Sequence, residues 1–291
     1  LTHTDQSPIN LTVAQANAML AKGASFHTGD TVTIVDTADH ILLANDGVTG
    51  TPLFGADGAV EAALNIDGVT ATAVPASLSV ADAGTLLARA TNDASLTFKL
   101  SVQPDDATHP HTLRDAVELA MTTTATVTQI DLAKGTYTGN ENIYITKPIA
   151  IVGENDATTA GPDVVIEQTT SATFVLQGNI AGTNSDGTMG TGDVSITGVK
   201  VVGGTEAVSV FGPSMDTKVD SLTITNSVFE GQANGAVIVD LQRADSELNN
   251  LVINNVAISQ ADTVASNAAK HQGIVAWGFD GDASISPVTI A

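Results

Sequence analysis

Residues 108–156 read THPHTLRDAVELAMTTTATVTQIDLAKGTYTGNENIYITKPIAIVGEND. Two periodicities follow one another in this stretch. Leu113, Ala116, Val117 and Ala120 recur at helical spacing behind Thr112, whose hydroxyl suits a helix N-cap. Val127 to Ala133 (VTQIDLA) then reads as a buried strand, Lys134-Gly135 as a turn, and IYIT and IAIVG as short alternating strands. Pro148 separates the last two, and proline is tolerated at a strand start or edge. An amphipathic helix feeding a series of short strands is the reading from which the fold follows.

The chain beyond it is periodic. ITGVKVVGG begins at Ile196, ITNSVFEG at Ile224 and INNVAISQ at Ile253, in steps of 28 and 29 residues. Two positions after each isoleucine stands Gly198, Asn226 or Asn255, and five positions after it Val201, Phe229 or Ile258. The runs AVSVFG and AVIVDL keep nearly the same period, Val208 to Val237. A strand-and-turn repeat of this length predicts a solenoid, with Asn226 and Asn255 stacked as a structural ladder at a tight turn. The order of cap helix, strand pair and I-x-I-x-G turn resembles the N-terminal cap and first coil of right-handed parallel β-helices of the pectate-lyase-like superfamily. The resemblance covers residues 108–291 and implies a helix that plugs one end of the solenoid.

The other end of the chain repeats differently. LTVAQANAML (Leu11–Leu20) and LSVADAGTLL (Leu78–Leu87) lie 67 residues apart, and Lys22 falls on Arg89 at the same offset. Thr12 and Ser79 are N-cap residues; Gln15 can return a bond to the cap backbone, whereas Asp82 is a shorter partner. Val13, Ala16 and Leu20 share one face of the first helix, Val80, Ala83 and Leu87 one face of the second, and Gly23 stops the first. Strand-like TVTIVD and LTFKLSV follow the two helices, DTADHILLA (36–44) reads as a short capped helix, and AALNIDGVTATAV (62–74) as strand, turn and strand. The expectation is an α+β module over residues 1–103 with about 1.5 copies visible, then the β-helix over 104–291 with its cap near 112–121. This phrasing resembles tandem modules in very large secreted and surface proteins of bacteria, over residues 8–103. They include calcium-dependent adhesins exported without a cleaved N-terminal signal, and surface-layer (S-layer) proteins.

Composition narrows the partners. With 32 acidic against 10 basic residues the formal net charge is −22, a field that repels nucleic acid and anionic membrane surfaces and attracts divalent cations. A 43% hydrophobic and 14% charged chain can bury a core, so disorder is not expected. Without cysteine there is no disulfide, thiol chemistry or Cys-ligated zinc. No apolar run is long enough for a membrane span, and LTHTDQSPIN lacks the form of a signal peptide. Three explanations stay open: a removed segment, an export signal elsewhere, or a longer parent chain.

Catalytic constellations are thin. Lyases of the resembled superfamily hold calcium with several carboxylates beside a basic residue; beyond Asn140 the basic residues are Lys147, Lys200, Lys218, Arg243 and Lys270. Asp220 and Asp240 fall about a coil apart and read as turn residues. NSDG (184–187) matches the first element of the polygalacturonase pattern, but no Asp-Asp pair, Gly-His-Gly or Arg-x-Lys follows. Trp277 either stacks on a sugar or packs over the last coil. Calcium candidates are Asp186 with Asp193 and Asp280 with Asp282, each alternatively a solvated acidic loop. His109 and His111 flank Pro110 with no partner in view and read as linker residues.

The expectation is therefore a non-enzymatic, extracellular cell-surface protein. It would assemble with copies of itself as an S-layer subunit or adhesin segment, assisted by calcium, with cell-surface polysaccharide or lipopolysaccharide as candidate further partners. Neither nucleic acid nor membrane insertion is expected. The alternative is a β-helix protein that binds or cleaves acidic glycans.

Overall fold

The computed structural model describes residues 8–24, 26, 29–43, 64, 66–155, 161–182, 190–211, 216–241, 245–259, 272–277, 284–285 and 288–290. The protein is mainly β, built on parallel sheets. It divides into two compact units, Leu1–Leu100 with Thr123–Val127 and Ser101–Thr122 with Thr128–Ala291.

In the first unit, strands β1 (Ile9–Leu11), β2 (Val32–Thr37) and β3 (Ile66–Thr72) lie side by side and parallel, with Ile9 opposite Val32 and Ile34 opposite Val69. Parallel neighbours need long connections; helix α1 (Val13–Leu20) follows β1 and α2 (Ala38–Leu43) follows β2. Thr12 caps α1 reciprocally: its hydroxyl accepts the Gln15 N–H at 3.2 Å, and the Gln15 side-chain oxygen accepts the Thr12 N–H at 2.9 Å. Ser79 accepts the Asp82 N–H at 3.0 Å and donates its hydroxyl to the Asp82 carboxylate at 2.7 Å. The 62–74 stretch departs from the expected strand, turn and strand. Ile66–Thr72 is one strand with a register shift, and the Asp67 carboxylate accepts the Val32 N–H at 2.7 Å at that break.

In element order the pattern β-α-β-α-β occurs twice. The second pass is β4 (Ser77–Ser79), α3 (Val80–Arg89), β5 (Thr97–Val102), α4 (Thr112–Thr122) and β6 (Thr126–Leu132). Helix α3 buries Ala83, Leu86 and Arg89, and the expected Leu87 is only half-buried. Its buried stripe advances in steps of three because Arg89 belongs to it: the guanidinium donates to the carbonyls of Ile41 (2.5 Å) and Leu42 (3.0 Å), in the last turn of α2. Lys22, its match in the sequence repeat, is exposed.

The second unit consists of three parallel ladders. One holds the second-unit part of β6, then β9 (Ile149–Gly153), β12 (Asp193–Thr197), the first parts of β15 (Lys218–Glu230) and β17 (Glu247–Ser259), and finally β19 (Ser284–Ile285) and β20 (Val288–Ile290). Another holds β7 (Gly135–Gly139), β10 (Val164–Gln168), β13 (Val199–Gly203) and the last parts of β15 and β17. The third holds β8 (Ile143–Ile145), β11 (Phe174–Leu176), β14 (Glu206–Phe211), β16 (Gly235–Asp240) and β18 (Gln272–Trp277). From β6 onward the chain visits the three in fixed rotation.

Register turns this rotation into stacks. Ile130, Ile151, Ile196, Ile224, Ile253 and Ile290 stand opposite one another in successive strands of the first ladder. Tyr137, Ile166, Val201, Phe229 and Ile258 do so in the second, and Ile143, Phe174, Val208, Val237 and Ile274 in the third. Most of these side chains are fully buried, each contributing about 1.5–3 kcal/mol on removal from water. From β11 onward the third ladder is buried on both faces, since Val175, Ser209, Ile238 and Val275 of its other column are covered too, whereas Tyr144 at the start of that column is exposed. That explains the unbroken apolar run AVIV in β16.

Thr112 is the first residue of α4 and not its cap. The capping acceptor is a carboxylate seven residues upstream: Asp105 accepts both the Thr112 N–H and its hydroxyl at 2.8 Å. Leu113, Ala116, Val117 and Ala120 are buried.

Candidate functional site

The corner between the first and second ladders is set by backbone shape. Gly198, Asn226 and Asn255 all have positive φ, +71°, +50° and +52°. Asparagine is the residue that tolerates this left-handed conformation best after glycine. The Asn255 amide donates to the Asn226 carbonyl oxygen at 2.8 Å, so the step between β15 and β17 at this corner adds a side-chain bond. Both side chains are exposed, and the bond gives them a structural use.

Outside this corner, the outward face of the first ladder carries aligned small residues. Ala150, Ser195, Thr223 and Val252 form one column; Val152, Thr197, Thr225 and Asn254 form the next. Asp193, Ser221 and Asn250 make a third, shorter one. Hydroxyl and amide groups bond along the columns: Thr197 to Thr225 at 2.9 Å and Ser221 to Asn250 at 3.3 Å. Asn249 donates to Asp220 at 3.2 Å beside them. Asp193 is exposed and stands at the margin of this face.

At the opposite margin an open groove of about 370 Å³ is lined by Ser101, Gln103, Asp131, Val152 and Glu154, with backbone from Leu132, Ala133 and Gly153 nearby. Its carboxylates already have donors: the Gln129 amide bonds Asp131, and Glu154 accepts the Lys134 N–H at 3.3 Å.

The most constrained ionisable groups hold the start of the second unit together. Asp105 spends one carboxylate oxygen on Thr112 and the other on Thr138, whose N–H and hydroxyl lie at 2.7 and 2.8 Å. Burial by itself would raise its pKa; the four donations from Thr138 and Thr112 outweigh that and hold it below the ordinary value. Next to Thr138, Tyr137 is buried with its hydroxyl 2.9 Å from the Val102 carbonyl and 2.8 Å from that of Ala133. Burial, then the charges of Asp105 and Glu154, push its pKa up, so it stays a neutral donor. In the first unit Asp36 acts similarly, accepting the Val13 N–H at the start of α1 and the Thr37 N–H, with the His40 ring at 2.7 Å. Burial opposes its ionisation, and the bonds from His40, Val13 and Thr37 reverse that and lower its pKa. None of these carboxylates was singled out by the sequence motifs. The available signal was an Asp at or just beyond the end of a strand and before a helix, where free N–H groups wait for an acceptor.

Of the sequence-derived metal and ligand candidates, only Asp193 and Trp277 lie among the described residues. Asp186, Asp280 and Asp282 lie outside the described residues, as does NSDG. Trp277 is the last residue of β18, in backbone register with Asp240. His109 sits in a turn organised by the Asp106 carboxylate, which accepts the Thr108 and His109 N–H groups at 2.7 Å, while the His111 ring lies 3.0 Å from the Thr138 carbonyl. Among the described residues no three His, Asp or Glu side chains group as ligands for a metal ion, and no helix is long and apolar enough to cross a membrane. The chain matches no protein-family model, no curated protein and no solved structure.

Proposed function

We propose that this chain is a secreted bacterial surface protein with a structural role, self-assembling as an S-layer subunit or as a segment of a large adhesin, and assisted by calcium. The observation that carries the reading is the fixed rotation of the chain through three parallel ladders with in-register stacks such as Ile130, Ile151, Ile196, Ile224 and Ile253. We read that arrangement as a parallel β-helix, right-handed because crossovers between parallel strands are right-handed in about 98% of cases. Such a scaffold builds length and flat faces. Polar groups in it are paired with one another along the ladders and at their corners: Asn255 on Asn226, Thr197 on Thr225, the Asp105 carboxylate on the Thr138 N–H. That economy suits a building element better than a catalyst, which keeps reactive groups poised towards a substrate. The groove beside Asp131 and Glu154 offers two carboxylates and no basic lining residue, the wrong sign for an acidic glycan.

Electron microscopy of the purified protein with millimolar calcium, and then with a chelator, tests the reading. Ordered sheets or filaments that dissolve on chelation support it. Monodisperse particles in both conditions overturn it and direct attention to polygalacturonate and other acidic glycans as ligands or substrates.

A further inference from the structure

We infer that the outward face of the first ladder is a self-association surface that takes the same face of a second copy of this chain. The inference rests on the self-assembly proposed above and names the surface that performs it.

Charge selects the occupant. A chain of net charge −22 resists the approach of its own copies. The stretch of this face formed by Ala150, Val152, Ser195, Thr197, Thr223, Thr225, Val252 and Asn254 bears no charge; carboxylates stand where its columns end, Asp131 opposite Val152 at one margin and Asp193 at the other. Two copies can meet there without setting carboxylate against carboxylate. Hydrogen-bond chemistry points the same way. A surface that pairs with itself about a two-fold axis must itself supply both the donors and the acceptors of every contact, so a donor-only or acceptor-only surface fails. Serine and threonine hydroxyls and asparagine amides both donate and accept, and they bond like to like within the face already, Thr197 with Thr225. Between them Ala150, Val152, Val252 and the threonine methyls supply apolar contact, and the outward residues of β9, β12 and β15 are half-buried, as on a flat sheet surface.

Size sets the strength. Four strands about 4.8 Å apart, each presenting two or three outward residues about 6.7 Å apart, span roughly 300–400 Å². A standard stable interface buries about 800 Å² per partner. One such contact is therefore weak alone and becomes durable when other contacts act beside it, which is how a sheet or filament differs from a tight dimer. Asp193 at the rim places a carboxylate from each copy near the contact, where a divalent cation relieves repulsion.

Two kinds of variant test this. Thr223→Glu places like charges on both facing surfaces, and it should abolish sheets or filaments while the circular dichroism spectrum and melting temperature stay those of the parent. Because the chain has no cysteine, Thr223→Cys introduces a single thiol; under mild oxidation it should form a covalent dimer at least about tenfold faster than Ala81→Cys, an exposed position on α3. Parent and charge variant assembling alike would overturn the surface while leaving self-assembly intact. Cross-linking of Thr223→Cys with no parent assembly would keep the surface as a pairing contact and overturn the assembly reading. Equal cross-linking rates for the two cysteine variants would overturn the surface outright.

Discussion

Replacing Asp105 with asparagine removes the acceptor that joins α4 to β7. In the native chain its two oxygens receive four donors, from Thr112 and Thr138, at 2.7–2.8 Å. The amide of Asp105→Asn keeps one oxygen and turns an –NH2 towards one of the two N–H groups, so one side of the clip becomes donor against donor. Bonds to a charged group contribute about 1.5–3 kcal/mol each. Asp105 is half-buried, and solvent screens part of that. Losing one side and weakening the other should cost about 2–4 kcal/mol in all. For a unit of this size that lowers the melting temperature by about 5–12 °C. The pH dependence gives an independent check. The folded pKa of Asp105 lies below the ordinary value of 3.8. The unfolded chain therefore takes up the proton first, and the stability this group confers is complete above about pH 5 and is lost as pH falls through the folded pKa. Thermal melts of parent and Asp105→Asn, followed by circular dichroism between about pH 7 and about pH 2, should show a gap that is constant at the upper end and narrows at the lower. Equal melting temperatures at neutral pH, or a gap that persists unchanged into acid, would refute the clip.

Three further outcomes are expected. Asn226→Ala, which puts a Cβ-bearing residue without a local hydrogen bond at φ +50° and deletes the bond from Asn255, should cost about 2 kcal/mol in urea denaturation, with Asn226→Gly milder. Arg89→Met leaves the Ile41 and Leu42 carbonyls without their donor inside the first unit; a loss of about 2–4 kcal/mol is expected, and a variant as stable as the parent would remove the guanidinium from the account. Added sodium chloride should raise the melting temperature of the −22 chain as the screening length falls from about 10 Å at 0.1 M to about 3 Å at 1 M. Calcium that raises it further at fixed ionic strength would mark binding and not screening alone.

The stacking order was partly legible in the residues themselves. Ile196, Ile224 and Ile253 stand at steps of 28 and 29 because the turns between those strands are short and equal, and the register pairs them as the spacing implies. Ile130 and Ile151 belong to the same stack, yet no period reveals them. The step from Ile130 to Ile151 is 21 residues and that from Ile151 to Ile196 is 45, since loops of unequal length leave the corners while the strands keep their places. Stacked parallel strands tolerate such insertions between them, because loop length adds little to the entropy of closure. The corner residues were legible for the same reason as the isoleucines, since glycine and asparagine are what a left-handed turn selects. The carboxylate contacts of Asp36, Asp67 and Asp105 were not. Their partners are backbone N–H groups 23, 35 and 33 residues away along the chain, and backbone donors leave no mark in a sequence.

The repeated module near the start is best understood through its second pass. In the first, Asp36, the penultimate residue of β2, accepts N–H groups at the start of α1 and beside α2. In the second, Asp105 follows β5 and accepts the N–H at the start of α4. Both passes thus place an ionised carboxylate at or just beyond the end of their middle strand, where the positive end of a helix needs an acceptor. The difference lies at the other oxygen. Asp36 reaches the nearby Thr37 and His40, whereas Asp105 reaches Thr138 on the first strand after β6. The carboxylate of the first pass organises its own module, and that of the second ties a helix to the ladder that follows. A chain with 32 acidic and 10 basic residues has few cations with which to make such ties. Backbone N–H groups are the donors it has in abundance, and matching carboxylates to them allows an acidic protein to stay folded without pairing charge for charge.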